Sequence, residues 1–430
     1  MNRPATLAAW LAYLETLHPK SIAMGLDRVV AVYARMSAKL LSPVITVTGT
    51  NGKGSTCAML DAMLRCAGYR TGLYTSPHLL RYNERVRIGG APQDDESLLA
   101  AFNAVEDARD EVPLTYFEYG TLAALWAFAR AALDVVVLEV GLGGRLDAVN
   151  VVDADVAVVT SVDLDHMDYL GPTREHIAFE KAGIFRPGRV VVCAEPDPPA
   201  SMVEHARAIS APLKQIGRDF GYVAADGQWE YWGAAGHRYG LPYPSLRGAY
   251  QLANAATALA VVDALHDRLH VGSGAIREGL LAVDLPGRFQ VLPGRPAVVL
   301  DVAHNPHAAR ALAATLGTMG FFPRTVAVLG MLADKDIRGV IDAIRGRIDD
   351  WYVATLPPPR GASAEAVRMR LADAGIAADA IQVFDDIRSA FAAARGNVGE
   401  ADRIVAFGSF LTVAAVMTAE QEGRRVPRHG

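Results

Sequence analysis

Cysteine is scarce in this chain of 430 residues. Only Cys57, Cys66 and Cys193 are present, and none has the spacing of a metal ligand. That excludes a disulfide-stapled scaffold and a zinc ribbon, and fits buried, reduced thiols in a cytosolic protein. A surplus of charge is also missing. The 42 Lys and Arg against 47 Asp and Glu leave a net charge of −5, which argues against a nucleic-acid partner held by bulk electrostatics but leaves room for a local basic pocket. No apolar run is long enough to span a bilayer. The most hydrophobic stretch, residues 404–419, is interrupted by Gly408-Ser409 and reads as a buried strand followed by a helix. Residues 1–18 carry Leu and Trp at helical spacing, without the basic start and apolar centre of a signal peptide. A soluble, cytoplasmic protein with no membrane or nucleic-acid partner is expected.

What the chain does have is length and alternation. It exceeds what a single core usually reaches, so two domains are expected. Apolar runs at 44–48, 71–75, 135–140, 156–162 and 189–195 alternate with helical patterns such as 55–67, 121–132 and 173–185. Fully apolar strands between helices imply a parallel sheet covered on both faces. A more polar segment, 213–243, contains Trp229-Glu230-Tyr231-Trp232 and reads as a peripheral antiparallel insertion. A helical stretch, 250–269, then leads to Leu285-Pro286-Gly287-Arg288, a linker. The alternation restarts at 297–303 and continues through 325–330, 351–356, 381–384 and 403–408. The fold expected is α/β: a P-loop ATPase-like, doubly wound, mostly parallel sheet domain over 1–288, then a smaller Rossmann-like domain over 289–430. A ligand site in a cleft between two such domains is the natural expectation.

Residues 48–55 read Thr-Gly-Thr-Asn-Gly-Lys-Gly-Ser, directly after an apolar strand and before a helix. Such a turn cradles phosphate: glycines let backbone N–H groups converge, the helix start adds partial positive charge, and Lys53 adds a full one. The lysine falls two places early for the common Gly-x-x-x-x-Gly-Lys-Ser/Thr form. A plain glycine turn with an exposed lysine is the bland alternative, and three glycines behind a buried strand argue against it.

Three further features stand where strands end, the usual ligand edge of a parallel sheet. They are Thr75-Ser76-Pro77-His78, Glu139 with Gly141-Leu142-Gly143-Gly144-Arg145, and Asp163-Leu164-Asp165-His166. A lone buried Glu or His is more often a structural hydrogen-bonder. Convergence of Ser76, Glu139 and His166 beside the phosphate loop would instead suit a hard cation, with histidine a less usual ligand for Mg²⁺. Lys181 reads by itself as a solvated helix lysine.

Together, Gly49–Ser55, Ser76-Pro77-His78, Glu139–Asn150 and Asp301-Val302-Ala303-His304-Asn305-Pro306 resemble the Mur ligase superfamily, whose phosphate loop carries the shifted lysine. The finer resemblance is to its folate branch. The residues that carry it include Leu17-His18-Pro19-Lys20, Arg81–Val86, Leu114–Gly120, Asp334-Lys335-Asp336 and Pro359–Ser363, and it spans almost the whole chain. The resemblance implies an ATP-dependent amide ligase that adds L-glutamate to 7,8-dihydropteroate and to the tails of reduced folates. It implies ATP held by Thr50, Asn51, Gly52, Lys53, Gly54 and Ser55 with Asn254, Arg288 and Asp301. Mg²⁺, one ion or two, would sit on Ser76, Glu139 and His166. It further implies a carbamylated Lys181, a pterin held by Ile22, Ala23, Met24, Thr115, Tyr116, Phe117, Leu146, Asp147 and Ala148, and a catalytic role for His304 beside Lys53 and Lys181. A monomer is implied as well. The chain departs from the family at Val302, where a glycine is usual, and at Leu411, where relatives often carry histidine. A cell-wall peptide ligase is disfavoured by the short stretch ahead of the loop, and a P-loop nucleotide switch by the second α/β domain.

Overall fold

The computed structural model describes residues 3–20 and 22–425. The chain forms two compact units, one of 1–245 with 251–284 and one of 246–250 with 285–430.

In the first unit the strands are β1 (Val44–Thr48), β2 (Thr71–Tyr74), β3 (Val86–Ile88), β4 (Ala91–Pro92), β5 (Val135–Glu139), β6 (Val156–Val159), β7 (Val190–Cys193) and β8 (Leu213–Gln215). They form one sheet in the order β4-β3-β2-β5-β1-β6-β7-β8, parallel except where β3 and β4 turn back beside β2. The central strands are runs of Val, Ile and Leu buried along their whole length, as a sheet covered on both faces requires. Packed on them is a core that includes Trp10, Phe102, Tyr119, Leu122 and Ile177. The mostly parallel, doubly wound arrangement expected from the alternation is present.

Two local expectations shift. The helix expected from residue 121 begins at Tyr116, because Thr115 and Glu118 form a reciprocal capping box that starts it a turn earlier. The segment expected to be wholly antiparallel from 213 instead first gives β8, which pairs parallel with β7. Only then come β9 (Gly221–Ala225), β10 (Gln228–Gly233) and β11 (Gly236–Leu241), a separate antiparallel sheet.

The second unit contains β12 (Gln290–Leu292), β13 (Ala297–Leu300), β14 (Thr325–Leu329), β15 (Asp350–Ala354), β16 (Ile381–Phe384) and β17 (Arg403–Phe407), ordered β12-β13-β17-β14-β15-β16. Only β12 is antiparallel to its neighbour. Its core is built on Val299, Leu312, Ile341, Trp351 and Phe407. The apolar stretch at 404–419 resolves into β17 and the helix Phe410–Arg425, as its glycine break suggests. Among the described residues no helix is long and apolar enough to cross a membrane. The three cysteines carry free thiols.

Candidate active site

The sheet order brings the first unit's four sequence features side by side. Ser76 follows β2, Glu139 ends β5, the phosphate loop follows β1, and His166 follows β6, on four adjacent strands at their carboxyl ends. The loop is tied to the chain leaving β6. Thr50 N donates to Ser161 O at 2.9 Å, Asn51 N to Ser161 Oγ at 2.9 Å, and Asp163 N to Thr50 Oγ1 at 3.0 Å. Two glycines make this approach possible. A Cβ at Gly49 would run into Thr160 Oγ1, and one at Gly52, where φ is 88°, would lie 2.6 Å from Asn254 Oδ1. Gly52 then caps the helix Lys53–Cys66, whose first lysine turns its Nζ back onto Gly49 O (2.9 Å) and Thr50 O (3.3 Å). Behind the loop runs a buried polar chain: Gln251 Nε2 donates to Ser55 Oγ at 3.4 Å, and Asn254 Nδ2 donates to Gln251 Oε1 at 2.8 Å. Asn254 therefore stands against the loop, and the small Gly54 follows Lys53 in the same helical turn.

Of the three expected metal ligands, Ser76 and Glu139 are joined, since Ser76 N donates to the buried Glu139 carboxylate at 3.0 Å. His166 heads the short helix Met167–Leu170 with φ of 51°, and its Nε2 is 3.9 Å from Asp165 Oδ1. Among the described residues no three His, Cys, Asp or Glu side chains form a ready cation cage. One buried carboxylate and a hydroxyl beside the glycine loop nevertheless fit Mg²⁺, which takes few protein oxygens and completes its shell with phosphate and water.

Lys181 is not a solvated lysine. It is 3% exposed, near the end of the helix Arg174–Ala182. Burial first, and then the charge of Lys53, lower its pKa to about 7, against the pull of Asp165 and Asp147. Gly144 lets the loop after β5 close on this helix end: a Cβ there would meet Glu180 O and Lys181 O at 2.9 and 3.0 Å. Asp147 braces the same loop, accepting from Leu142 N (2.8 Å) and Val149 N (3.1 Å). Burial nevertheless pushes its carboxyl up to about 7.

The expected pterin elements also gather at this loop. Arg28 bonds to Glu118 Oε1 and to Ala23 O at 2.7 and 2.8 Å, which ties the segment of Ile22, Ala23 and Met24 to the helix begun by Thr115, Tyr116 and Phe117. Any side chain at Gly141 would hit the Phe117 ring at 2.6 Å, and one at Gly143 would approach Met24 Cε at 3.9 Å. Asp147 follows Leu146 and caps the short turn that starts with Ala148.

In the second unit, Asp301 at the end of β13 accepts from Phe289 N (2.9 Å) and Ala303 N (2.8 Å). Its pKa is raised by burial and pulled back by Arg288. The Arg288 guanidinium lies 5.0 Å from the Phe410 ring centre, and His304 packs on the same ring at 6.4 Å. His304 Nδ1 is 2.9 Å from Val302 O. A carbonyl only accepts, so Nδ1 carries the proton and Nε2 is the acceptor nitrogen. Asn305 caps the helix Pro306–Thr318 that follows.

Comparison with known proteins gives this arrangement its lineage. The Mur ligase middle domain model matches residues 47–262, and the Mur ligase glutamate ligase domain model matches 287–410. Escherichia coli (strain K12) dihydrofolate synthase/folylpolyglutamate synthase is 47% identical, over 96% of this chain and 94% of its own. The chain belongs to the Mur ligase family, in its dihydrofolate synthase/folylpolyglutamate synthase branch. The Haemophilus influenzae protein of that name is 42% identical over 96% of this chain and 97% of its own. Among solved structures, E. coli FolC in complex with DHPP and ADP matches with a TM-score of 0.92 at 46% identity, covering 98% of this chain and 99% of that one. A bifunctional folylpolyglutamate synthase/dihydrofolate synthase with Mn, AMPPNP and L-glutamate bound gives 0.89 at 46% identity, covering 97% and 98%.

Within this Mur ligase frame, sequence reasoning passed over Arg28. Its partner Glu118 is 90 positions away, and no local pattern joins them. Gln251 was visible only as part of a helical stretch; the signal was its place three residues before Asn254, two polar side chains on a helix otherwise rich in Ala, Leu and Val.

Proposed function

We propose that this Mur ligase family member uses ATP to join L-glutamate to 7,8-dihydropteroate, and to the glutamate tail of reduced folates, through an acyl phosphate. The observation that carries the reading is the row of Ser76, Glu139, Lys53 and His166 on four adjacent strand ends, with the Gly141–Gly144 loop beside it. That layout suits a nucleotide's phosphates next to a flat apolar acceptor. Relatives solved with DHPP and ADP, and with Mn, AMPPNP and L-glutamate, support the choice of ligands.

A carboxylate is a poor electrophile because its oxygen leaves badly. Attack of that oxygen on the γ-phosphate releases ADP and gives an acyl phosphate with phosphate as a good leaving group. The loop amides from Thr50 to Ser55 and the Lys53 amine would hold the phosphates in line, and Arg288 would add charge. Asn254 and Asp301 would complete the nucleotide's surroundings. Mg²⁺ on Ser76, Glu139 and His166 would supply charge neutralisation on the phosphates. His304 Nε2 is suited to taking the proton from the ammonium group of glutamate, which must be neutral to attack. Holding that amine beside the acyl carbon is worth on the order of 7 kcal/mol in well-oriented cases.

Lys181 would be the carbamylated lysine. Its amine adds to carbon dioxide with loss of a proton, and only a neutral amine can do so, which its burial favours. The product replaces a buried cation with a carboxylate-like group near Lys53. The cytoplasm suits both the ATP demand and three free thiols.

The test is phosphate release with ATP and L-glutamate, comparing dihydropteroate and tetrahydrofolate as acceptors. Release with both is expected. Release with only one would overturn the dual activity, and ATP binding without glutamate-dependent release would return the chain to a nucleotide switch.

A further inference from the structure

Arg85 is a buried cation with no carboxylate partner among the described residues. The turn Tyr82–Arg85 leads into β3, and Thr75 N donates to Arg85 O at 3.0 Å. Arg85 thus lies beside the end of β2, next to the segment that carries Ser76. It is 9% exposed. Its guanidinium stands 5.4 Å from the Tyr82 ring centre and 5.5 Å from that of Tyr116, and its Nε donates to His78 Nδ1 at 2.9 Å. The two terminal nitrogens take no hydrogen-bond acceptor from the described residues. Other arginines differ. The buried Arg403 spends its terminal nitrogens on Leu316 O and Thr325 Oγ1, and the half-buried Arg109 pairs with Glu106.

Taking a guanidinium out of water is costly unless an anion or several acceptors repay it. Here the surroundings fix the group without neutralising it. The two tyrosine rings hold its plane. His78 fixes its rotation by accepting from Arg85 Nε at Nδ1. Tyr116 opens the helix that carries Phe117, and Ser76 is bonded to Glu139. The free fork of Arg85 therefore belongs to the segments assigned above to the acceptor and the phosphates.

We propose that Arg85 receives the carboxylate of a folate's terminal glutamyl residue that is not being ligated. This rests on the ligase reading above. Dihydropteroate has a single carboxylate, and that one reacts. A folate tail ends in two, so one must be activated while the other is held apart from the phosphates. A planar guanidinium fork takes a carboxylate bidentately, which gives direction as well as charge. Arg85 is then a specificity residue for tail extension, and His78 is its positioning residue.

Steady-state KM values for the two acceptors, read by phosphate release with ATP and L-glutamate, test this. Arg85→Met is expected to raise KM for tetrahydrofolate about ten- to a hundredfold more than KM for dihydropteroate, the range of one charge-assisted contact. Arg85→Lys should recover part of the difference. An equal change with both acceptors would overturn the proposal. The wild-type protein supplies a second arm that needs no folded variant: a tetrahydrofolate analogue with 4-aminobutyrate in place of its terminal glutamate keeps one carboxylate and lacks the other. Its KM should rise by a similar factor, and use of the analogue as readily as tetrahydrofolate would also overturn the proposal. No glutamate-dependent release from the wild type with either acceptor would instead sink the ligase reading, so the two failures are told apart.

Discussion

Each unit closes a loop at its strand ends with one buried aspartate, and the two aspartates have different company. Asp147 takes the amides of Leu142 and Val149 and shares its surroundings with Lys53 and Lys181. Asp301 takes the amides of Phe289 and Ala303, with Arg288 as its neighbouring charge. The second arrangement is largely local: Arg288, Phe289, Asp301, Ala303 and His304 lie close in sequence, and Phe410 joins them from afar. The first is assembled from distant segments, with Thr50 on Asp163, Ser76 on Glu139, Gln251 on Ser55 and Arg28 on Glu118. A braced loop is thus common to both units. What sets the first apart is a pair of crowded lysine amines, which calls for an anion.

The largest expected effect breaks the comparison on its chemical side. Lys53→Ala should lower glutamate-dependent phosphate release by about a hundred- to a thousandfold, the usual cost of one charge-stabilising donor. Its melting transition should be unchanged. Near-normal turnover would remove the phosphate-loop assignment.

The aspartates themselves come next. Asp147→Ala and Asp301→Ala each leave two backbone amides without their acceptor, both buried at Asp301 and one part-buried at Asp147. Each should destabilise its unit by about 2–5 kcal/mol, taking roughly 1–3 kcal/mol for each stranded group. Asp→Asn at either site keeps an acceptor oxygen and should cost less. Urea unfolding of the four variants measures this, and no loss in either Ala variant would show that the loop holds without its brace.

How much of this was legible follows the same division. The strands announced themselves because central parallel strands are apolar runs: 44–48 coincides with β1 and 325–330 covers β14, both buried along their whole length. The Asp301–Pro306 stretch could be read as one motif because its partners are neighbours. The first unit's site could be listed but not assembled, since spacing alone says nothing of which strand lies beside which. The order β2-β5-β1-β6 is what joins Ser76 to Glu139. Lys181 was the hardest case. A lysine on a helix defaults to solvent, and only resemblance drew attention to it. Its burial depends on Gly144 admitting the loop after β5, a tertiary fact with no local trace.

A smaller effect sharpens the comparison through pH. Asp147 titrates at about 7 in the folded chain and near 3.8 unfolded, so between those values the folded state holds a proton that the unfolded one has lost. Stability from this group is full below about 3.8 and is lost as pH rises toward about 7. With its amine unmodified, in buffer free of carbon dioxide, Lys181 runs the other way. Its folded value of about 7 lies below the ordinary 10.5, so stability rises with pH between them. The first unit should therefore be least stable near neutral pH with respect to this pair. Melting temperature against pH checks it: Asp147→Asn should flatten the acid limb and Lys181→Met the alkaline one. A profile that neither substitution alters would remove both shifts as contributors.

The smallest expected effect concerns Leu411, the position where relatives often carry histidine. The side chain is 47% exposed in the first turn of the helix Phe410–Arg425, and its amide bonds to Ser409 Oγ at 3.2 Å. Leu411→Val or Leu411→His exchanges one partly solvated group for another without disturbing that backbone bond, so stability should stay within about 0.5 kcal/mol. Activity is where the comparison gains detail. Leu411 follows Phe410, the ring on which Arg288 and His304 both pack. If a polar group here served the second unit's chemistry, Leu411→His should raise kcat while leaving KM for both acceptors alone. The prediction is a change of less than about twofold, because the side chain at 411 is half exposed and Phe410, not Leu411, carries the packing of Arg288 and His304. A larger gain would show that the second unit, like the first, relies on a contact absent from its local motif.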